Sequence, residues 1–278
     1  MIQIENLSYA YGRNTVLQHI SMKLQPGRII GLLGENGVGK TTLLTLLCGL
    51  KNPLTGSIDA DGRKPFDRKP SLLADQFYLP DEVMPLRLSA EAFARERGSF
   101  WPNFTMERFL DLLAGFEVEA GQRMDKMSAG QLKKTWIAFG LACHTKYYYM
   151  DEPTNGLDIP SKAQFRKALA RETAEDSIVI LSTHQVRDLE DIIDSIVILE
   201  ARAVAVNTTI DDLSRAFRFE TLDTVSPDSL YSEMVPGGIL QVLPNDEGVE
   251  TKVNIESFFN ALHTSRERVI TLLSNLEK

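Results

Sequence analysis

The fold of this chain is decided by residues 28–47, which read RIIGLLGENGVGKTTLLTLL. The first six residues form a short apolar run typical of a buried strand, and leucines recur at helical spacing after Lys40. Between them, GENGVGKT matches the phosphate-loop pattern G-x-x-x-x-G-K-[ST]. Its glycines let backbone N–H groups face phosphate oxygens at the start of a helix. The order strand, glycine-rich loop, helix therefore predicts an α/β fold with a phosphate site.

The phosphate loop distributes its roles over residues 34–42. We expect Lys40 to grip the β- and γ-phosphates, Thr41 to ligate Mg²⁺ and Thr42 to hydrogen-bond a phosphate. The other predicted contacts are Gly34, Glu35, Asn36, Gly37, Val38 and Gly39. A glycine-rich turn without a ligand is the alternative, and the strand and helix on either side of the motif disfavour it.

Composition and charge narrow the function classes. The chain has 278 residues, 43% of them hydrophobic, which suits one large domain with an appendage or two small domains. Its net charge of -8 disfavours a general nucleic-acid binder. Cys48 and Cys143 lie in apolar helical runs without metal-ligand spacing, so we expect reduced core residues.

Targeting features are weak along the whole sequence. The N-terminal residues lack the charged start and apolar core of a signal peptide. No window approaches the roughly 18 consecutive apolar residues of a membrane-spanning helix. Any membrane role is therefore expected to come through a partner.

Hydrophobic periodicity predicts a consistent order of elements outside the phosphate loop. Helical patterns fill residues 88–97 and 105–115, which form a helical insert between strands. Buried-strand candidates at 147–150 and 178–181 flank a helical segment, and such a strand-helix-strand unit implies parallel pairing. Beyond about Phe217, short strands and turns precede two helical pieces.

A second anion-binding pattern is MSAGQLKK, residues 127–134, at the start of a predicted helix. Ser128 is placed as its N-cap, and a helix N-terminus carries about half a positive charge. Taken alone, an ordinary capped helix would also explain this pattern.

A third pattern is YYYMDEPTNGLD, residues 147–158, which is a strand that ends in two adjacent carboxylates. Successive strand residues point in opposite directions, so Asp151 and Glu152 can take different tasks. One suits a metal contact and the other a base directed at water. For the pair alone, a solvated acidic turn is the simpler interpretation.

Four motifs occur in one order along the chain: GENGVGKTT, MSAGQ, YYYMDEPTNGLD and ILSTH. Over about residues 2–217 this set resembles the nucleotide-binding subunit of an ATP-binding cassette (ABC) ATPase of the bacterial exporter type (ABC-2-like). The resemblance implies an ABC domain over residues 1–217, a P-loop NTPase with a mainly parallel central sheet, an N-terminal antiparallel β subdomain and a helical subdomain inserted at about 82–146. Residues 218–278 would form a small C-terminal α+β accessory segment. ATP and Mg²⁺ are the implied cofactors.

In that family two subunits pair head to tail, and each ATP lies between the phosphate loop of one and the signature loop of the other. The implied signature residues are Ser128, Ala129, Gly130 and Gln131, and Asp158 joins the nucleotide-binding set. The family pattern is LSGGQ, so Met127 and Ala129 are departures. Ala129 lacks the freedom of glycine at positive φ, which would weaken the contact if that geometry is needed.

The resemblance also implies the catalytic residues. Glu152 would polarise the attacking water, and Asp151 would hold Mg²⁺ through water. His184, in ILSTH, would contact the γ-phosphate and help to orient that water.

Two further positions follow from the resemblance. Tyr11 would stack on adenine. The glutamine-loop residue that reaches Mg²⁺ would be Asp81, with Gln76 as the alternative.

Three functions remain as hypotheses. The first is the ATPase subunit of an exporter: a homodimer in the cytoplasm, held on the inner face of the cell membrane by a separate integral membrane permease. The second is a soluble ABC ATPase that remodels a protein or nucleoprotein complex, although the paired cassettes, coiled coils and zinc modules typical of such proteins are missing from the sequence. The third is a nucleotide-gated binding module with little turnover. No nucleic-acid partner is expected.

Five aromatic residues of the helical insert bear on the first hypothesis. They either pack the insert or partly present a socket to the permease. These residues are Phe93, Phe100, Trp101, Phe104 and Phe109.

Overall fold

The computed structural model describes residues 1–276, and in that part the chain forms three sheets and nine α-helices. The strands are β1 (Ile2–Tyr11), β2 (Asn14–Leu24), β3 (Arg28–Leu33), β4 (Thr55–Ala60), β5 (Gln76–Leu79), β6 (Tyr147–Asp151), β7 (Ile178–Ser182), β8 (Ser195–Glu200), β9 (Ala203–Thr209), β10 (Phe217–Leu222), β11 (Tyr231–Val235) and β12 (Gly238–Pro244). The α-helices are α1 (Lys40–Leu47), α2 (Pro70–Leu73), α3 (Ala90–Arg97), α4 (Met106–Gly115), α5 (Ala129–Ala142), α6 (Ile159–Glu172), α7 (Ile210–Ala216), α8 (Ile255–Thr264) and α9 (Arg266–Leu276).

A six-stranded sheet forms the centre of the molecule, in the order β5-β6-β7-β3-β8-β9. Its first five strands pair in parallel, and β9 closes one edge antiparallel to β8. β6 and β7 are buried along their whole length, as expected for parallel strands with both faces covered. Side chains alternate between two hydrophobic cores: Tyr147 and Tyr149 belong to one, and Tyr148 and Met150 to the other.

Different parts of the chain cover the two faces of the central sheet. The antiparallel sheet β2-β1-β4 and helix α1 share a core with one face. Helices α3, α4 and α5 cover the other face, where the rings of Phe93 and Phe139 lie 4.7 Å apart. Because the strands between these layers run in parallel, the loops that leave β3, β6 and β7 meet at the same edge of the sheet.

The last part of the chain adds a small antiparallel sheet, in the order β10-β12-β11, and two helices. Helix α8 packs against this sheet and against the 3₁₀ turn Val186–Asp188. The rings of Phe217 and Phe258 lie 5.3 Å apart, and both residues belong to the core that the helical insert also uses. This part therefore rests directly on a loop that leaves the central sheet.

The predicted fold class is confirmed. β3 matches the apolar run at residues 28–33, and α1 covers the leucine-rich residues after Lys40 and ends at Leu47, ahead of Gly49 with its φ of 73°. Cys48 and Cys143 are free and buried as expected, and burial raises the pKa of the Cys48 thiol to about 11. No helix within residues 1–276 is both long and apolar enough to cross a membrane.

Candidate nucleotide-binding site

The site lies where three neighbouring strands of the central sheet end. The phosphate loop follows β3, Asp151 and Glu152 close β6, and His184 follows β7. The sheet order β6-β7-β3 brings these three ends side by side. In open α/β sheets, ligands bind in the crevice outside the carboxyl ends of the strands.

The phosphate loop is folded around its own lysine. The Lys40 ammonium donates to the carbonyl oxygens of Gly34 at 2.8 Å and Glu35 at 3.2 Å. Burial lowers the pKa of Lys40, although the nearby charges of Glu152 and Asp151 oppose this effect. Lys40 thus presents a partly desolvated positive charge that a phosphate can neutralise.

Glycine is needed where the loop meets the rest of the chain. Gly39 is the N-cap of α1 with φ of 117°, and a Cβ there would lie 2.8 Å from the Leu17 side chain. Gly34 has φ of 143°, and a Cβ there would lie 2.5 Å from the carbonyl oxygen of Leu199. Only glycine fits both positions. Because Gly39 has no side chain to cap the helix, the first-turn N–H groups of α1 face the crevice.

Two hydroxyl groups hold the buried carboxylate of Asp151. Thr41 Oγ1 donates to Asp151 Oδ2 at 2.6 Å, and the Ser182 hydroxyl donates to Asp151 Oδ1. A hydroxyl and a carboxylate side by side are the hard oxygen donors that Mg²⁺ prefers. Within residues 1–276 no group of three or more His, Cys, Asp or Glu side chains is arranged to hold a metal. Thr41 and Asp151 by themselves fit a cation that would take its remaining ligands from phosphate oxygens and water.

Glu152 and His184 form a pair beside this carboxylate. His184 Nδ1 lies 2.8 Å from Glu152 Oε1. Glu152 has φ of 45°, a left-handed conformation that is uncommon for a residue other than glycine. Its backbone N–H is held by both the carbonyl oxygen and the hydroxyl of Ser182, each at 3.1 Å. The β7 end therefore fixes the backbone from which the Glu152 carboxylate projects.

A cavity of about 270 Å³ opens between these groups. Its lining consists of Val16 and ten of the predicted site residues, which are Tyr11, Asn36, Gly37, Gly39, Lys40, Thr41, Thr42, Asp81, Asp151 and Glu152. Tyr11 is half-exposed at the rim, where its hydroxyl lies 3.4 Å from Thr42 Oγ1 and Lys51 Nζ lies 4.9 Å from its ring centroid. From this position the Tyr11 ring is accessible for stacking with the adenine of a nucleotide.

The structure separates the two glutamine-loop alternatives. Asp81 lines the cavity, accepts a hydrogen bond from Asn155 Nδ2 at 3.1 Å and lies 3.8 Å from Lys133 Nζ. Gln76 is buried on another side of the sheet, where its Nε2 donates to the carbonyl oxygen of Cys48. Of the two, only Asp81 faces the phosphate loop.

The signature residues lie away from the cavity of their own chain. Ser128 caps α5: its hydroxyl accepts from the N–H of Gln131, whose side chain accepts from the N–H of Ser128. Ala129 is the first residue of the helix and is not among the positive-φ positions, so its backbone does not need glycine. A Cβ on Gly130 would lie 3.4 Å from the carbonyl oxygen of Gly156.

Asp158 has a structural contact in this chain. It is the N-cap of α6, and its Oδ1 accepts from the N–H of Ser161 at 2.9 Å. Hydrogen bonding with the Ser161 side chain, and then with its N–H, lowers the pKa of Asp158. Like the signature residues, Asp158 does not line the cavity with the phosphate loop.

Sequence reasoning missed three residues that shape the site. Ser182 holds both Asp151 and Glu152, and its place in ILSTH at the end of a buried strand was the available signal. Lys133 donates to the carbonyl oxygen of Asp81 at 2.7 Å, and Asn155 bonds its carboxylate. The Lys133 and Asn155 contacts join helix α5 and the turn after β6 to the loop that holds Asp81, and these parts meet only in the folded chain.

Comparisons with known proteins agree with this geometry. The ABC transporter family model matches residues 17–155. The chain is 32% identical over 207 residues to the "SkfA peptide export ATP-binding protein SkfE" of Bacillus subtilis (strain 168), covering 72% of this chain and 85% of that protein. It is 29% identical over 247 residues to the "ABC-type transporter ATP-binding protein EcsA" of the same organism, covering 84% and 96%. A solved "Structure of ATP binding subunit of ABC transporter" superposes with a TM-score of 0.71 at 25% identity, covering 77% of this chain and 92% of that one.

Proposed function

This chain belongs to the ABC transporter family, and on that premise we propose that two copies of it power export through a separate integral membrane permease. It is an ATP-binding subunit and an ATPase. The pairing, the membrane partner and the direction of transport are the proposed parts. Export is supported by the name of the SkfE relative, which is described as a peptide export protein.

One observation carries the proposal of a pair. The N-terminus of α5 is well ordered by its capping box, yet it lies outside the cavity that holds the phosphate loop of the same chain. The Ser128 oxygen accepts from Gln131, so its O–H remains available as a donor. The N–H groups of Ala129 and Gly130 have no acceptor within the helix, because they belong to its first turn. A phosphate held by a second copy would satisfy these donors.

The chain's own residues divide the work of hydrolysis. Backbone N–H groups at the start of α1 and the Lys40 ammonium hold the phosphates. Mg²⁺, held through Thr41 and Asp151, would supply positive charge to the phosphate oxygens. Glu152 accepts a proton from the attacking water, and His184 holds the Glu152 carboxylate in position. Closing two copies over two ATP molecules assembles both sites, and product release reopens them.

A groove on the other side of the chain suits the permease. It has a volume of about 450 Å³, and its lining is largely apolar, with Leu50, Phe100 and Trp101 among its residues. Phe93 and Phe109 are buried in the insert, whereas Phe100 is 64% exposed, so part of the aromatic set does face outward. Gln76 Oε1 lies at this groove and has no hydrogen-bond partner in the described part of the chain. An amphipathic segment with one polar donor would match this surface.

We propose the functional limits of the chain in the same terms. Residues 1–217 form the nucleotide-binding domain, with the helical subdomain inserted at about 82–146, and residues 218–278 form the accessory segment. The chain is placed on the cytoplasmic face of the membrane by its permease. Phe100 and Trp101, which lie between α3 and α4 in the insert, line the apolar groove and support this arrangement.

The test is purification of the tagged chain from membranes of its source organism. We expect an integral membrane protein to co-purify and to raise the ATPase rate several-fold, and Phe100→Asp to abolish both effects. Leu54→Asp is the matched control, because Leu54 is also 64% exposed and does not line the groove. A ribosomal or other nucleoprotein partner in place of a membrane protein would favour the remodelling alternative and refute the proposal.

A further inference from the structure

The segment that follows His184, residues 185–192, is held from two sides. One side is the nucleotide-binding core: Lys162 Nζ donates to Asp188 Oδ2 at 2.7 Å, and Arg166 donates to the carbonyl oxygen of Asp188 at 2.9 Å. Both donors come from α6, which packs on the central core. These contacts alone fix only the middle of the segment.

The other side is the C-terminal part of the chain. The N–H of Ile255, the first residue of α8, donates to Glu190 Oε1 at 2.6 Å. A carboxylate at a helix N-terminus also interacts favourably with the helix dipole. Arg187 forms an ion pair with Glu256, and Lys252 Nζ lies 2.7 Å from Asp191 Oδ1.

An apolar anchor accompanies these polar contacts. Leu189 is fully buried and belongs to the same hydrophobic cluster as Phe258 of α8. Next to it lies a cavity of about 500 Å³, lined by Glu35 and His184 on one side and by Phe259 and Asn260 on the other. If the contacts to α8 were lost, the segment would have room to move and to carry His184 away from Glu152.

We propose that residues 218–276 of the accessory segment position His184 for hydrolysis through the segment 185–192, with Arg187, Glu190 and Glu256 as positioning residues. This inference rests on the proposed catalytic role of His184. The His184–Glu152 contact of 2.8 Å leaves little tolerance, since a misplacement of about 1 Å at a reacting site can reduce a rate by about 100-fold. The accessory segment is thereby a working part of the ATPase site.

The Arg187–Glu256 pair is the best place to test this. An exposed ion pair stabilises a protein only slightly. Reversal of one charge is expected to have a larger effect here, because the guanidinium is paired with Glu256, and the hydrogen bond to Glu256 and the charges of Glu233 and Glu190 all raise its pKa. Arg187→Glu would replace this attraction by repulsion and push the segment off α8.

The experiment compares Arg187→Glu, Glu256→Arg, Glu256→Gln and the double charge swap in the full chain, at protein concentrations where the rate per subunit is constant. We expect about a five- to tenfold loss of kcat for each reversal, with the KM for ATP changed less than twofold, and a smaller loss for Glu256→Gln. The double swap should regain at least half of the parent rate. Thermal unfolding of each variant checks that the chain folds.

Two comparisons decide the interpretation. Arg95→Glu is the matched control, because Arg95 and Glu91 are 73% and 42% exposed, close to the 77% and 45% of Arg187 and Glu256, and it should keep the parent rate. In a His184→Ala background, Arg187→Glu should cause no further loss. A full rate in Arg187→Glu, or a loss that persists without His184, overturns this inference alone. A full rate in His184→Ala instead overturns the catalytic role of His184 and the inference with it.

Discussion

Two helices of this molecule present their N-termini to phosphate in opposite ways. Helix α1 begins after Gly39, which has no side chain, so its first N–H groups and Lys40 are open to the cavity. Helix α5 begins with a complete capping box between Ser128 and Gln131. The first end has no side-chain cap for its N–H groups, whereas the second is capped by its own side chains. The N-terminus of α1 therefore opens into the cavity of its own chain, and the N-terminus of α5 lies outside that cavity.

The largest effect is expected for Glu152→Gln, which changes the side of the site that contains the phosphate loop. We expect ATP hydrolysis to fall by about 100-fold or more, because the amide cannot accept the proton of the attacking water. ATP binding should persist and trap closed pairs, which size-exclusion chromatography with ATP would detect. Hydrolysis at the parent rate in this variant would refute the assignment of Glu152 as the base.

The outward-facing side is tested by Ser128→Arg. The substitution removes the free O–H and fills the approach to α5, so we expect hydrolysis at saturating ATP to fall at least about tenfold. Binding of ATP to the single chain, measured with a fluorescent analogue, should be unchanged because Ser128 lies outside that cavity.

Mixing variants sharpens this test. A pair made of one Ser128→Arg chain and one Lys40→Ala chain has one damaged site and one intact site. An equal mixture should therefore regain about a quarter of the parent rate if chains pair at random with two-fold symmetry. If the mixed pairs have no active site, or if both of their sites are active, then a phosphate loop and the signature loop of the other subunit do not form a shared site.

The smallest effect is expected for Ala129→Gly, which restores the family pattern at that position. Ala129 is helical, so glycine gains no needed conformation and costs the helix about 0.5–1 kcal/mol. The ATPase rate should stay within about twofold of the parent while the unfolding midpoint falls slightly. A several-fold rise in hydrolysis would show that Ala129 does limit the signature contact, contrary to the observed backbone.

The sequence predicted the strand, loop and helix around Lys40 because one local pattern contains them all. β3 is apolar from Ile29 to Leu33 since both faces of the sheet are covered there, and Gly34 and Gly39 stand where no Cβ fits. The preference for Asp81 over Gln76 came from the family resemblance alone, because residue patterns do not show which side of the sheet each side chain faces. The contacts between Glu190 and α8 join residues 65 positions apart, so only tertiary packing creates them.

The left-handed backbone of Glu152 carries a cost that its neighbours outweigh. Such a conformation costs a residue with a side chain about 1–2 kcal/mol, and Ser182 holds it in place through two bonds to one N–H group. Glycine would adopt the same backbone freely but would remove the carboxylate. A laboratory selection for thermal stability alone would therefore favour replacement of Glu152 by glycine, and such chains would bind ATP without hydrolysing it. At position 152, thermal stability and the rate of ATP hydrolysis therefore place opposite demands on the residue.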